Sequence, residues 1–347
     1  MIATTGQEYN GTEAMKQILK PAIEYGLLED FFFRVKTGLK VKEKVYFLTP
    51  INKITVKSQG CDPSSTAKSI PRTQKVWDPQ DVEGRLEFCW TELNGQLEES
   101  QLKAGSDVAN IEGTVVEGYL LDILVPAAYR DLMRMAWLSK KTITSGELTG
   151  GAGDVKNYDQ LDGFMKKIVD GVGASLIPYA AIAKNAQTTV SAQALAAGES
   201  VTLMRTAFGK QKPLLRSTDK RQKVFYVTRS IYSNYEDYLE ANDKLESARK
   251  QLIDGVETLT YRGIPLIILD VVDDYVETDF LISGALDRPN RLFLTVKENL
   301  QIAVDTDTSN PVQMQYWYEK KDRKYYFEFM YKLDVQIAVE EYMVAMY

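Results

Sequence analysis

Among 347 residues there is no histidine. That absence removes Ser-His-Asp and Cys-His nucleophile activation, imidazole metal ligation and the commonest general base near neutral pH. Cysteine is nearly as scarce: Cys61 and Cys89 form neither a CxxC pair nor a disulfide framework. The opening stretch "MIATTGQEYNG" has no basic n-region and no apolar h-region, so the expectation is an intracellular, reduced product. No apolar run approaches the ~18 residues of a membrane helix, and no membrane partner is expected. Positive charge is short too, with 42 Lys and Arg against 48 Asp and Glu, a net −6. A dedicated nucleic-acid binder needs a basic surface to neutralise phosphates, so that class is disfavoured.

What is present is ordinary globular composition, 44% apolar and 26% charged, in a chain long enough for two or more packed units. In residues 11–25 Met15, Ile18, Leu19, Ala22 and Ile23 fall on one helical face, with Pro21 as a kink, which suggests a docking arm. Phe31, Phe32 and Phe33 follow; three consecutive phenylalanines cannot all face one core, so some should meet another surface. "VKEKVYFLTPI" then places Val41, Val45, Phe47, Thr49 and Ile51 on one face of an extended segment. After a loop rich in Ser, Pro and Gly, "RLEFCWTEL" alternates Leu86, Phe88 and Trp90 against Arg85, Glu87 and Cys89. Together these read as one long hairpin. A hairpin is marginal alone in water, so it must lie on something else, another chain included.

Thr114 and Glu117 have capping-box spacing and open a long helix carrying Leu120, Leu121, Leu124, Ala128, Leu132 and Met135, with Pro126 inside it. The glycines of "TSGELTGGAGDVKNYDQ" match neither a Walker nor a dinucleotide loop, so a plain linker is expected. A short helix on Leu161, Phe164, Met165 and Ile168, stopped by Gly171, follows. From Thr188 the pattern is mixed: a helix near residues 200–207, an apolar "KVFYVT", and a helix opened by Ser233 and Glu236 that buries Tyr235, Tyr238, Leu239, Leu245 and Leu252. Ile264 to Leu269 is too short for a helix and too apolar to leave a face wet, which predicts a central strand covered on both sides. The acidic residues after it, Asp270, Asp273, Asp274 and Asp279, are expected in a solvated loop rather than around a divalent cation. "DTDTSNPVQMQY" starts like a calcium loop but has Asn310 where glycine is needed and Tyr316 where glutamate is needed. No metal, cofactor or catalytic residue is predicted.

Near the end every odd position from Tyr325 to Val339 is apolar while most even ones are polar. Such a strand would run roughly 50 Å, against a usual ~17 to 20 Å. It is expected to bend or to pass between two sub-sheets of an elongated molecule.

The order of these elements, with "YRGIPLIIL", "NRLFLTVKENLQIAVDTDT" and "VQIAVEEYM" closing it, resembles the major capsid proteins of tailed bacteriophages, the Hong Kong 97-type fold, from about Phe31 onward. The resemblance implies an α+β fold with an N-terminal arm (1–40), an extended loop (41–93), a peripheral domain with a spine helix (94–153), an axial domain (154–300) and peripheral return strands (301–347). It also implies a structural, non-enzymatic shell protein whose partners are copies of itself in hexamers and pentamers, together with scaffold, portal and decoration proteins. DNA would be packaged by non-specific proximity only. The location implied is the virion capsid, assembled in the host bacterial cytoplasm. The expected contacts between subunits are Phe31, Phe32, Phe33, Val45, Phe47, Ile51, Trp77, Phe88 and Trp90. Within the same fold the alternative is an encapsulin-type nanocompartment shell, and outside it a tail or adhesin component.

Overall fold

The computed structural model of the chain describes residues 7–10, 32–48, 72–89, 115–244, 249–251, 257–305 and 313–347. Its first strands are β1 (Gln7–Asn10), β2 (Arg34–Lys36), β3 (Glu43–Leu48), β4 (Arg72–Trp77) and β5 (Gln80–Cys89). A long helix, α1 (Val115–Leu138), runs through Pro126 and is followed by α2 (Phe164–Gly173) and β6 (Tyr179–Ala180). Then come α3 (Glu199–Gly209), α4 (Pro213–Ser217), β7 (Lys223–Val227), α5 (Arg229–Glu240), β8 (Arg249–Gln251), β9 (Glu257–Tyr261) and β10 (Ile264–Ile268). The remainder is α6 (Asp270–Asp279), β11 (Leu281–Ile282), β12 (Ala285–Leu286), β13 (Leu292–Val296), β14 (Leu300–Val304), β15 (Gln313–Glu319), β16 (Lys324–Ile337) and β17 (Val344–Met346).

The apolar stretch at Ile264 is the strand its composition predicts. β10 lies inside a seven-stranded sheet ordered β6-β17-β13-β7-β10-β9-β8, parallel to β7 and antiparallel to β9. The β9–β10 turn is two residues, Arg262 and Gly263, both at positive φ, which is the backbone a tight hairpin needs to match strand twist. Alternate residues feed two cores. Ile264 and Leu266 pack with Phe225, Val227 and Ile231 on the α3 and α5 side; Ile267 and Leu269 pack with Tyr226, Trp137 and Val272 on the other.

Trp137 is the hub of that second core. Its ring lies 5.2 Å from Phe164, 5.9 Å from Phe293, 6.0 Å from Tyr226 and 6.1 Å from Phe33, so α1, α2, two strands and the approach to β2 meet at one indole. The last turns of α1 are buried on nearly every side, the mark of a central helix. Gly163 makes the crossing with α2 possible: its N–H donates to the Ser139 carbonyl at 2.8 Å, and a Cβ there would sit 2.9 Å from the Ala136 and Trp137 carbonyl oxygens.

The second large sheet is organised by β16. Residues 324–330 pair with β15, 333–337 with β14 and 324–333 with β5, while β1 adds to β15 and β2 to β14. The predicted period holds: Tyr325, Phe327, Tyr331, Leu333, Val335 and Ile337 are buried. Length comes from the strand being shared among three partners. One even position, Asp334, is buried as well, and its carboxylate accepts the backbone N–H groups of Asp78 and Val335, both at 2.8 Å.

Four expectations are corrected. The arm of the hairpin that pairs with β3 is β4, not the "RLEFCWTEL" segment, whose described part, β5, instead lies along β16. The acidic residues after β10 form the helix α6, where Asp270 and Asp273 occupy the first turn and favour the positive end of the helix dipole. Helix α5 begins at Arg229, four residues before Ser233, and Leu245 and Leu252 lie outside the described residues. Gly171 sits inside α2, which ends at Gly173. The proposed arm helix with Met15 and Ile18 and the Thr114 cap also fall outside the described residues.

Candidate functional site

The region expected to carry function is the hairpin and its attachment to the body. β3 and β4 pair from Glu43↔Trp77 to Leu48↔Arg72 and, among the described residues, form a two-stranded sheet of their own. Strand alternation gives the hairpin two faces. The inner face turns home: Trp77 is 2% exposed and packs with Leu39, Ala303 and Val45, while Lys36 sits 5.8 Å above the indole. The outer face shows Lys44, Tyr46, Gln74 and Val76 to solvent, with Tyr46 52% and Val76 40% exposed.

Polar anchors fix the hairpin's base. Lys75 donates to the Ile337 carbonyl and to Glu340 Oε1, the latter at 2.5 Å. Burial pulls the Lys75 amine below the ordinary lysine range, and the hydrogen bond to Glu340 opposes that pull. Gln336 Nε2 donates to the Val76 carbonyl at 3.2 Å, and the Asp78 N–H binds Asp334. Lys42, 2.9 Å from the Asp78 carboxylate, holds that carboxyl below its usual range, with Lys141 assisting at 3.6 Å. After this pivot β5 runs ten residues along β16; among the described residues no strand pairs with its other edge. Its outward side chains Asp81, Glu83, Arg85 and Glu87 are charged and exposed, a common way of blunting an open edge.

The structure separates the nine expected contact residues. Phe33 is 2% exposed inside the core, stacked on Phe164, and Trp77 is equally buried, so both are spent within the chain. Phe32 is half-buried at φ +66, its ring 3.9 Å beneath the Lys297 ammonium and its carbonyl accepting the Glu298 N–H. Val45 lies on the inner face, and Phe88 is half-buried, edge-on to Phe327 at 5.7 Å. Phe31, Ile51 and Trp90, with the Phe47 side chain, lie outside the described residues. On the hairpin, sequence reasoning passed over the exposed Tyr46 and Val76, which sit on the other side of the alternation, while Val41, which it placed on one face with Val45, stands 72% exposed before β3.

Asp270 and Asp274 pair with Arg229 at 2.9 and 3.0 Å, and Arg130 reaches Asp274 at 3.1 Å, so the acidic cluster is matched by arginines. Among the described residues no group of His, Cys, Asp and Glu is arranged to hold a metal ion, and no helix is long and apolar enough to cross a membrane.

No family model matches the sequence, and no curated protein matches it. Solved structures do. A chain of the satellite phage P4 procapsid that includes the size determination protein Sid is similar at TM-score 0.59 and 9% identity, over 99% of this chain and 92% of that one. A chain of the capsid of cyanophage P-SCSP1u is similar at TM-score 0.51 and 11% identity, over 92% and 87%. One from Gordonia phage Cozz gives TM-score 0.50 and 10% identity, over 91% and 84%. At such identity the likeness is one of fold, and the fold is the α+β, Hong Kong 97-type one.

Proposed function

We propose that this chain is a major capsid protein that assembles with copies of itself, as hexamers and pentamers, into the icosahedral or prolate shell of a tailed bacteriophage. The observation carrying the reading is the match in fold, over almost the whole chain, to a chain of a phage procapsid. A second phage capsid matches nearly as completely. Geometry supports it: the described part of the hairpin, joined to the body through Trp77 and Lys75, presents a face bearing Tyr46 and Val76 to solvent, and a closed shell is built from such elements meeting neighbours around rings. Several overlaps of modest affinity per subunit are sufficient to hold a container.

Under this reading the role is structural rather than enzymatic. Residues 1–40 are the arm, 41–93 the extended loop, 94–153 the peripheral domain with α1 as spine, 154–300 the axial domain and 301–347 the return strands. Tyr46, Val76 and Val41 join Phe31, Phe47, Ile51 and Trp90 as the contact residues. Scaffold, portal and decoration proteins are the further partners, and DNA is enclosed by proximity, which a chain of net charge −6 favours over adhesion. The protein resides in the virion after assembly in the bacterial cytoplasm. A phage shell is preferred to an enzyme-loaded nanocompartment because the matches that carry weight come from phage particles.

Negative-stain images of the concentrated protein test this directly. Closed shells with five- and six-fold capsomers are expected; a population that stays monomeric at every concentration overturns it.

A further inference from the structure

Charge is unevenly placed along this chain. Residues 205–223 carry seven Lys and Arg against Asp219 alone, in a protein whose net charge is −6. The fold draws that run to one end of the seven-stranded sheet, where α3 ends, α4 follows and β7 begins; the β9–β10 turn adds Arg262 there.

Two side chains tie this end together. The half-buried Phe208 ring lies 4.8 Å from the Arg262 guanidinium and 5.9 Å from the Lys223 ammonium. Gln211 is buried; its side chain accepts from Lys223 Nζ at 2.8 Å and its carbonyl from Arg216 Nη2 at 3.1 Å. Arg205 precedes Phe208 by three positions on α3 and so shares its face, while Lys220 and Arg221 lead directly into β7. Six cations are thereby exposed around this end: Arg205, Lys210, Arg216, Lys220, Arg221 and Arg262. Among the described residues none of the six pairs with a carboxylate. Asp219 accepts the Arg221 N–H at 2.9 Å, and the exposed Glu341 lies on the turn at 340–342, packed against α4. Beneath them Lys223 is itself buried; desolvation draws its amine below the ordinary lysine range and the Lys220 charge draws it further, against Asp219.

Net charge does not decide what such a surface meets. Screening acts over about 8 Å at physiological salt, so an approaching anion responds to the cations within its reach and not to the whole chain. A protein partner would want an apolar centre to its interface, and the segments bearing these six cations expose no large apolar side chain. Backbone phosphates need only long, unpaired Lys and Arg side chains on an open surface. We infer that this end of the sheet is a contact surface for double-stranded DNA, neutralising phosphates with Arg205, Lys210, Arg216, Lys220, Arg221 and Arg262 and reading no base sequence. The choice of double-stranded DNA among polyanions rests on the shell reading above. The rest of the surface is acidic on balance, which concentrates contact here.

A labelled duplex of about 30 base pairs is titrated with the purified full-length chain by fluorescence anisotropy, from about 50 to about 300 mM salt. Affinity is expected to fall with salt at a log–log slope of about −3 to −5, since each neutralised phosphate contributes about −0.9. Arg205→Gln with Lys220→Gln and Arg221→Gln alters exposed side chains without ion pairs. It should melt like the parent, bind the duplex at least tenfold more weakly and show a shallower slope. Lys320→Gln with Lys321→Gln and Arg323→Gln removes the same charge from the exposed β15–β16 turn and should change affinity less than about twofold. No binding at the lowest salt, equal loss in the two triple variants, or polyglutamate binding as tightly as the duplex overturns the surface. Negative stain of the same preparations scores shells independently. Shells without DNA binding sink this surface alone, and DNA binding without shells sinks the shell reading alone.

Discussion

Phe329 lies across Gly84. The two residues face each other between β16 and β5, and a Cβ on Gly84 would come within 2.2 Å of Cζ of that ring. The glycine is therefore occupied by its neighbour's side chain, which also stacks on Tyr331 at 6.2 Å. Gly84→Val should force the ring out and cost about 1–3 kcal/mol, as overpacking does. The check is a denaturant midpoint, with Phe329→Ala in the same chain as partner: the double variant should lose less than the sum of the two single losses.

Lys75 is the second test of the sheet's edge, because it joins the hairpin to the carbonyl of Ile337 and the carboxylate of Glu340. Lys75→Met keeps the stem and removes the charge. Leaving those acceptors without their cation should cost about 2 kcal/mol, felt locally. Hydrogen exchange should therefore quicken more than tenfold over 43–48 and 72–77 while β7 and β10 keep their protection. Uniform loss of protection would place Lys75 in the global core instead.

Asp273 connects stability to pH. Desolvation pushes its carboxyl up to about 7, although the Arg229 N–H at 2.5 Å and the nearby Arg291 and Arg229 charges pull the other way, and Asp270 adds to the rise. The folded value thus stands above the unfolded one near 3.9. Its stabilising share is complete below pH ~4 and is lost as pH climbs through 7. Asn keeps an acceptor for Arg229 and never ionises. Asp273→Asn should gain on the parent steadily from pH 4 to 8, by about 4 kcal/mol at most, and then level off. Thermal melts across that range decide it; a variant less stable at pH 8 would make the ionised carboxylate a net asset through Arg291.

The same residue explains what was illegible in the chain. Ser233 and Glu236 have the spacing of a capping box, yet α5 starts at Arg229 because the Asp273 carboxylate, from a helix 44 residues away, accepts its first N–H. Local patterns cannot show a cap supplied through space. α6 was hidden in a similar way, since Asp270 and Asp274 resemble a solvated loop until Arg229 and Arg130 are placed beside them. "RTQKVW" is too polar to announce itself as the strand β4, and Lys75 is buried only because Glu340 meets it. β16 and β10 were readable because each satisfies a one-dimensional rule: alternation where one face is covered, unbroken apolarity where both are.

The two faces of the hairpin separate folding from assembly. Val45 points inward to Leu39, Trp77 and Ala303, so Val45→Glu should bury a charge against the chain's own core and destabilise the subunit by several kcal/mol. Tyr46 and Val76 point outward, and a solvent-facing substitution there should shift stability by no more than ~0.5 kcal/mol. If neighbours cover that face in a shell, Tyr46→Glu with Val76→Glu puts two carboxylates into every repeated contact, and each contact loses more than it is worth. The double variant should melt like the parent yet remain as small species in sedimentation at concentrations where the parent forms shells. Parent-like shells from this variant would mean that the outer face of the hairpin stays wet in the particle, and that the contacts lie elsewhere on the subunit.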